Sequence, residues 1–503
     1  MSSNPNGNYY LANDIDCSAT SSWNNGAGFY PIGYSGAFTG TFDGQYHTIT
    51  GLYINRNLHA VGLFSYATGA TIKNVMVNAN IVNAFNRSAL LIGIATNVNV
   101  SNCYTTGSIK SDMEAGGLIG VADNTYIVDS YSTASVSGYG ILVGGLVAQS
   151  LNSSTATHSY WDTETSGQSS SALGEGKTTA EMKKQTTFEN WDFAGSLWCI
   201  REDTDYPRFC SSIKFITITN CLELQNAANN LAGYYKLAND IDCSATANWN
   251  GGAGFDPIGV NYLQSFTGFF DGRGYSINNL KINRPGDYYI GLFSSIKGAT
   301  IQNLRLNNAN IKSNYGVGIL TGLAYSNSSI YNCHISGTVE STASGDNGSG
   351  GMMAFLTTGS KITSSSSNVS IHGLTIRIGG MVGYVKNGSS IINSHSSGTI
   401  NSENDDAGGL AGMLDSSSIV NSYSTSTVNG SDKVGSLVGT VFNNSNVTNS
   451  YAMGTVNGGS NVGGLVGYLY SGSGISDSFS VSSVNGSGSA VGGLVGYARD
   501  DAK

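Results

Sequence analysis

Two sets of carboxylates are the first residues in this 503-residue chain whose types and spacing could do chemistry: Asp14, Asp16 and Asp43, and again Asp240, Asp242 and Asp271. Paired carboxylates cleave glycosidic bonds when one serves as acid and the other as base or nucleophile. Clustered carboxylate oxygens also hold Ca²⁺. In Asp14-Ile15-Asp16 and Asp240-Ile241-Asp242, alternation along a strand puts both acids on one face, so Asp14, Asp16, Asp240 and Asp242 are weak Ca²⁺ candidates. Asp43 and Asp271 read better as structural. Phe42-Asp43-Gly44 and Phe270-Asp271-Gly272 each have the form of an aromatic strand running into an Asp-Gly turn. His47 follows the first turn and Ser276 takes the corresponding place after the second, so the duplicated segments share no imidazole. No catalytic or cofactor-binding residue is assigned, and no metal site beyond the weak Ca²⁺ candidates.

The seven cysteines suggest bonds rather than reactivity, because no C-x-x-C pair is present for zinc or redox chemistry. Cys199 and Cys210 bracket one aromatic segment, and Cys221 lies within reach of Cys243, which makes two candidate disulfides. The alternative is that all seven are reduced and buried. Cys17 is the counterpart of Cys243 without a counterpart of Cys221, so its partner is expected upstream of Met1. Cys103 and Cys333 stand where other copies of the same strand carry Ser, and are expected to be free.

Aromatic residues recur at one position: Tyr104, Tyr131, Tyr423, Tyr451 and Phe479, with His334 and His395 in the same column. Facing outward they would form a stacking platform for glycans. Tyr423 shares strand parity with Ile419 and Asn421, which predicts that the column faces inward as a core ladder.

The elements that must position these residues come from a repeat. Gly379-Gly-Met-Val-Gly383, Gly408-Gly-Leu-Ala-Gly412, Gly435-Ser-Leu-Val-Gly439, Gly463-Gly-Leu-Val-Gly467 and Gly492-Gly-Leu-Val-Gly496 begin 29, 27, 28 and 29 residues apart. Earlier copies include Gly116-Gly-Leu-Ile-Gly120 and Gly144-Gly-Leu-Val-Ala148. A second short strand follows each, as in Ile419-Val-Asn-Ser-Tyr423 and Val447-Thr-Asn-Ser-Tyr451. Short strands separated by Gly, Asn and Ser suit a coil that turns sharply several times. One repeat cannot bury its own apolar face, so coils must stack. The prediction is an all-β, right-handed parallel β-helix, a solenoid; propeller blades usually run to about 40 residues or more.

A longer duplication divides the chain into two tandem modules with short helical caps. Leu11 to Thr20 returns as Leu237 to Thr246, and Phe38 to Gly44 returns as Phe266 to Gly272. Residues 1–212 form a first module ending in a cap at about 158–210. Residues 213–503 form a second, with an N-terminal cap at about 216–232 and no C-terminal one. Helix signals are the capping box Thr178-Thr-Ala-Glu181 and Asn220-Cys-Leu-Glu223. Uncapped coil ends expose strand edges, which favours self-association.

Composition narrows the function classes. A net charge of −9, with only 23 Lys and Arg, excludes a phosphate-binding surface, so no nucleic-acid partner is expected. The same scarcity argues against a polysaccharide lyase, which needs basic and acidic groups gathered on adjacent coils. No apolar stretch approaches the roughly 20 residues of a membrane span. The segment after Met1 lacks signal-peptide features, and the chain is expected to be a fragment of an exported protein.

The Gly-Gly-Leu-Val-Gly repeats with their Asn-Ser-Tyr strands resemble the GLUG motif of bacterial surface and secreted proteins, among them some immunoglobulin A peptidases and filamentous-haemagglutinin-like adhesins. Asn13-Asp-Ile-Asp16, Phe38 to Gly44 and Tyr160-Trp-Asp-Thr-Glu-Thr-Ser-Gly167 are similar to elements that flank those repeats. The resemblance implies a β-helix at the cell surface. Zinc peptidase members carry His-Glu-x-x-His in a separate domain, and none of the six His residues here begins that pattern. The expected function is therefore a noncatalytic extracellular or cell-surface scaffold or adhesin segment with no cofactor. Its partners would be a glycan, a host or cell-surface protein, or itself. The alternatives are a β-helix polysaccharide lyase or glycosidase, and a viral or phage fibre.

Overall fold

The computed structural model describes every residue except Ser2, Ile141, 194–196, 202–203 and 346–347. The chain divides into two compact units, Met1–Lys214 and Phe215–Lys503. Each is a right-handed parallel β-helix. In the second unit, an eight-stranded parallel sheet runs from Phe293–Lys297 to Val495–Ala498 and a ten-stranded one from Ile216–Ile218 to Gly474–Ser476. A 19-stranded sheet closes the remaining side. The first unit has the same plan in sheets of 11, four and three strands.

The repeat motif is explained by two different close approaches. A Cβ on Gly408 would lie 1.9 Å from the carbonyl oxygen of Ala411 in the same turn, and one on Gly409 would lie 2.0 Å from the carbonyl of Ser436 in the next coil. The first glycine is therefore required by the bend and the second by the stacking. The Leu that follows points inward. Leu410, Leu437 and Leu465 are fully buried, and their backbones join coil to coil, Leu410 donating to Leu437 at 2.8 Å and Leu437 to Leu465 at 3.0 Å. Ile419, Val447, Val428 and Val456 fill the same interior. Each such side chain contributes about 1.5–3 kcal/mol only when its neighbours cover it, so the coils are stable together and not singly.

Each coil also turns at a left-handed residue. Asn393, Asn421 and Asn449 all have φ of 50°, a conformation that Asn tolerates better than most side chains. The serine after each corner points inward: Ser394 N–H donates to Ser422 Oγ, and Ser422 N–H to Ser450 Oγ, both at 3.1 Å. A buried column of hydroxyls thus satisfies the corner amides. Cys103 and Cys333 replace Ser in this column, are free and fully buried, and burial pushes both thiols up to about 12.

The structure pairs Cys199 with Cys210 at 1.96 Å and Cys221 with Cys243 at 2.00 Å; Cys17 is a half-buried free thiol. Asn220 caps the short helix Cys221–Gln225, accepting from Glu223 N–H at 2.9 Å, and Leu224 and Ala227 lie on the solenoid core. In the first unit the Thr178 and Glu181 hydrogen bonds form in both directions, at 2.8 and 3.2 Å. They start only the 3₁₀ turn Glu181–Lys183, because Lys184 is extended (φ −114°, ψ 129°).

Candidate functional site: an aromatic ladder on the outer face

In the second unit His334, Ser366, His395, Tyr423, Tyr451 and Phe479 are partners in register on successive strands. The rings of His395 and Tyr423 stack 4.7 Å apart, those of Tyr423 and Tyr451 4.9 Å, and those of Tyr451 and Phe479 5.2 Å, with planes within 7° of parallel. Coil spacing sets this separation and makes the stack continuous. The expectation that the column faces inward is wrong. Tyr423 and Tyr451 are half-buried and Phe479 is 53% exposed, whereas Ser424 and Ala452 beside them are fully buried. The left-handed corner at Asn421 resets the alternation, so Ile419 and Tyr423, although four residues apart, point to opposite sides. Burial holds the imidazoles of His334 and His395 below their ordinary value.

The first unit carries the same column as Met76, Tyr104, Tyr131 and Tyr160. Tyr104 and Tyr131 stack at 4.9 Å and 4°. Here the outer face is covered. Phe188, Trp191, Trp198 and Phe209 of the C-terminal cap close over it and leave Tyr131 1% exposed. These rings form an aromatic cluster separate from the solenoid interior. The cover meets the ladder crosswise: Phe209 on Tyr104 at 64°, Phe188 on Tyr160 at 82° and on Tyr131 at 61°. Tyr131 O–H donates to the Pro207 carbonyl, and its phenol is raised well above the usual range by burial.

Asp162 anchors this cover and went unrecognised in the sequence. Fully buried, it caps the helix Thr163–Ser166 by accepting from Glu164 and Thr165 N–H, and it also accepts from Thr179 Oγ1 at 2.7 Å and Tyr206 O–H at 2.6 Å. Burial and that carboxylate push the Tyr206 phenol up to about 12. The signal that existed was three of the five Trp residues gathered in one polar segment.

The carboxylates considered for Ca²⁺ or catalysis are engaged with the backbone. Asp14 Oδ1 accepts from Thr48 N–H at 2.8 Å, and Asp240 Oδ1 from Ser276 N–H at 2.7 Å. Ser276 is thus the counterpart of Thr48, and not of His47. Asp16 accepts from Ser18 N–H, and Asp242 from Ser244 N–H and Asn279 Nδ2. These hydrogen bonds lower the pKa of Asp16, Asp240 and Asp242. Asp43 and Asp271 close their turns by accepting from Gln45 and Arg273 N–H, both at 2.9 Å. Among the described residues no group of three or more His, Cys, Asp or Glu side chains converges as a metal site. Acidic and basic groups meet in several depressions: in one of about 350 Å³ Arg284 pairs with Asp256 and, at 3.6 Å, with Asp287, and in another of about 430 Å³ Lys177 pairs with Glu175 at 2.5 Å. No helix among the described residues is long and apolar enough to cross a membrane.

No family model matches the chain. Over 155 residues, 30% of the chain, it is 36% identical to halomucin of Haloquadratum walsbyi, a match that spans 2% of that protein. Over 152 residues, again 30% of the chain, it is 31% identical to the immunoglobulin A1 protease of Streptococcus sanguinis, of which the match spans 7%. The chain thus spans a small fraction of these curated relatives. Among solved structures, a Bacteroides ovatus protein described as a candidate immunoglobulin A1 protease aligns with a TM-score of 0.37 and 22% identity, over 48% of this chain and 77% of that one.

Proposed function

We propose that the chain is a noncatalytic extracellular scaffold segment of the GLUG type, two capped or partly capped solenoid modules that present a repetitive neutral surface to a binding partner. The observation that carries this reading is the outward aromatic ladder of the second unit, His395 to Phe479, lying half-exposed on a rigid sheet. Two disulfides suit an oxidising compartment, and the similarity to halomucin and an immunoglobulin A1 protease supports a place outside the cell. In this reading Asp14, Asp16, Asp240 and Asp242 are corner acceptors, and the boundary near residue 214 separates two copies of one architecture.

Carbohydrate cleavage is the second reading, and Asp256, Arg284 and Asp287 are the residues that would carry it, since one guanidinium holds both acids in a cleft. The test is to incubate the full chain with panels of acidic and neutral polysaccharides, and separately to measure its retention on cell surfaces and immobilised glycans. Surface retention without release of reducing ends or unsaturated sugars supports the scaffold. Cleavage that Asp287→Asn abolishes would replace it with the enzyme.

A further inference from the structure

We infer that the exposed ladder of the second unit is a docking surface for a Trp- and Phe-bearing peptide segment of a separate polypeptide, chemically like the cap that covers the first unit's ladder. The inference deepens the scaffold reading and rests on it.

The same column exists twice in this chain, and one copy is occupied. Over Tyr104, Tyr131 and Tyr160 lie Phe188, Trp191, Trp198 and Phe209, with the Cys199–Cys210 disulfide joining the strand of Trp198 to the turn after Phe209. Over His395, Tyr423, Tyr451 and Phe479 no such cover lies among the described residues, and Tyr423, Tyr451 and Phe479 are partly or largely exposed. The apolar surface widens beside them, because Met453 and Val481, two residues beyond Tyr451 and Phe479, are 47% and 66% exposed. A contiguous apolar patch on a rigid element marks an interaction surface.

The geometry selects the occupant. A sugar stacks on a ring face, but in this ladder the ring faces of Tyr423 and Tyr451 are already taken by their neighbours, with planes 2°, 3° and 7° from parallel. What faces outward is ring edge, the electropositive rim that attracts the face of another aromatic ring. In the first unit the cover rings Phe188, Trp191, Trp198 and Phe209 meet Tyr104, Tyr131 and Tyr160 at 43° to 82°, steepest for Phe188 on Tyr160, and none of them stacks parallel. The columns on one flank of the open ladder are uncharged, Thr427, Thr455 and Ser483 followed by the hydrogen-bonded asparagines 429, 457 and 485, and the corner column on the other flank is Asn393, Asn421 and Asn449 with a single charge at Asp477. Affinity should therefore depend on aromatic rings and very little on salt.

The test titrates the intact chain into a labelled, oxidised synthetic peptide corresponding to Phe188–Cys210, read by fluorescence anisotropy. Tyr423→Ser with Tyr451→Ser removes the ladder without threatening the fold, since Ser366 occupies the same column in this unit. Tyr468→Ser is the control, an aromatic stacked on Tyr497 in the eight-stranded sheet. Saturable binding, weakened at least about tenfold by the double substitution and by Trp198→Ser in the peptide but not by Tyr468→Ser, is expected. No saturation at about 1 mM peptide, or equal affinity for the double variant, would overturn the inference. So would soluble oligosaccharide binding, or self-association in sedimentation, that the double variant abolishes, since a glycan or a second copy would then be the occupant. Those outcomes leave the scaffold reading standing; polysaccharide cleavage by the chain, or protection of both ladders alike, removes it.

Discussion

Replacing Tyr131 and Tyr423 by Ala removes the same side chain from the same column, once beneath the cap and once in the open. Tyr131 is 1% exposed, packs against Phe188, Trp191 and Trp198, and donates to the Pro207 carbonyl. Truncating a buried aromatic of that size costs about 3–5 kcal/mol, and leaving the carbonyl without its donor adds about 1 kcal/mol. Tyr423 loses two stacked partners, His395 and Tyr451, at about 0.5–1.5 kcal/mol each. The difference between the variants is then about 3 kcal/mol at the middle of these ranges and about 1 kcal/mol where they come closest. Stacked coils need not unfold in one step, so the appropriate assay is hydrogen exchange by mass spectrometry, comparing the local opening free energy of residues 126–136 with that of 418–428. Equal losses at the two sites would refute the assignment of one covered and one open face.

Three further outcomes follow from the same geometry. In native, non-reduced protein, iodoacetamide should label Cys17 while sparing Cys103 and Cys333, which are buried with thiols raised to about 12; a mass shift of seven adducts would remove both disulfides from the structure. Gly409→Ala, whose methyl would meet the Ser436 carbonyl, should disrupt its coil and lower soluble yield, whereas Gly493→Ala, with open space around it, should behave as wild type. Because burial lowers the pKa of His334 and His395, the unfolded chain binds protons there more readily than the folded one. Their contribution to stability is therefore complete above about 6.5 and is lost as pH falls through the depressed folded values. Thermal melts should fall on acidification, and less steeply in His334→Ser, His395→Tyr; an unchanged slope would contradict this.

The solenoid was legible because the glycines of each repeat are fixed by contacts that recur with every coil, the turn carbonyl at Gly408 and the next coil's carbonyl at Gly409. Both disulfide pairs were legible from their places at the edges of the caps. The direction of the aromatic column was not. Strand parity assumes continuous extended backbone, and a single left-handed residue such as Asn421 inverts it without altering the sequence pattern. The helix expected after Thr178 stopped at one 3₁₀ turn, since a satisfied capping box starts a helix but does not propagate it. The cover over Tyr131 depends on Trp191, Trp198 and Pro207, sixty or more positions away. Their approach is a tertiary event that local spacing cannot encode.

Hydroxyl-radical footprinting of the intact chain tests the central claim most directly, because tyrosine oxidation tracks exposure of the ring. A scaffold whose second unit presents its ladder outward predicts rapid modification of Tyr451 and Phe479, with Tyr423 close behind, and protection of Tyr104, Tyr131 and Tyr160 beneath the cap. Protection of both ladders alike would return the column to the solenoid interior and contradict the account.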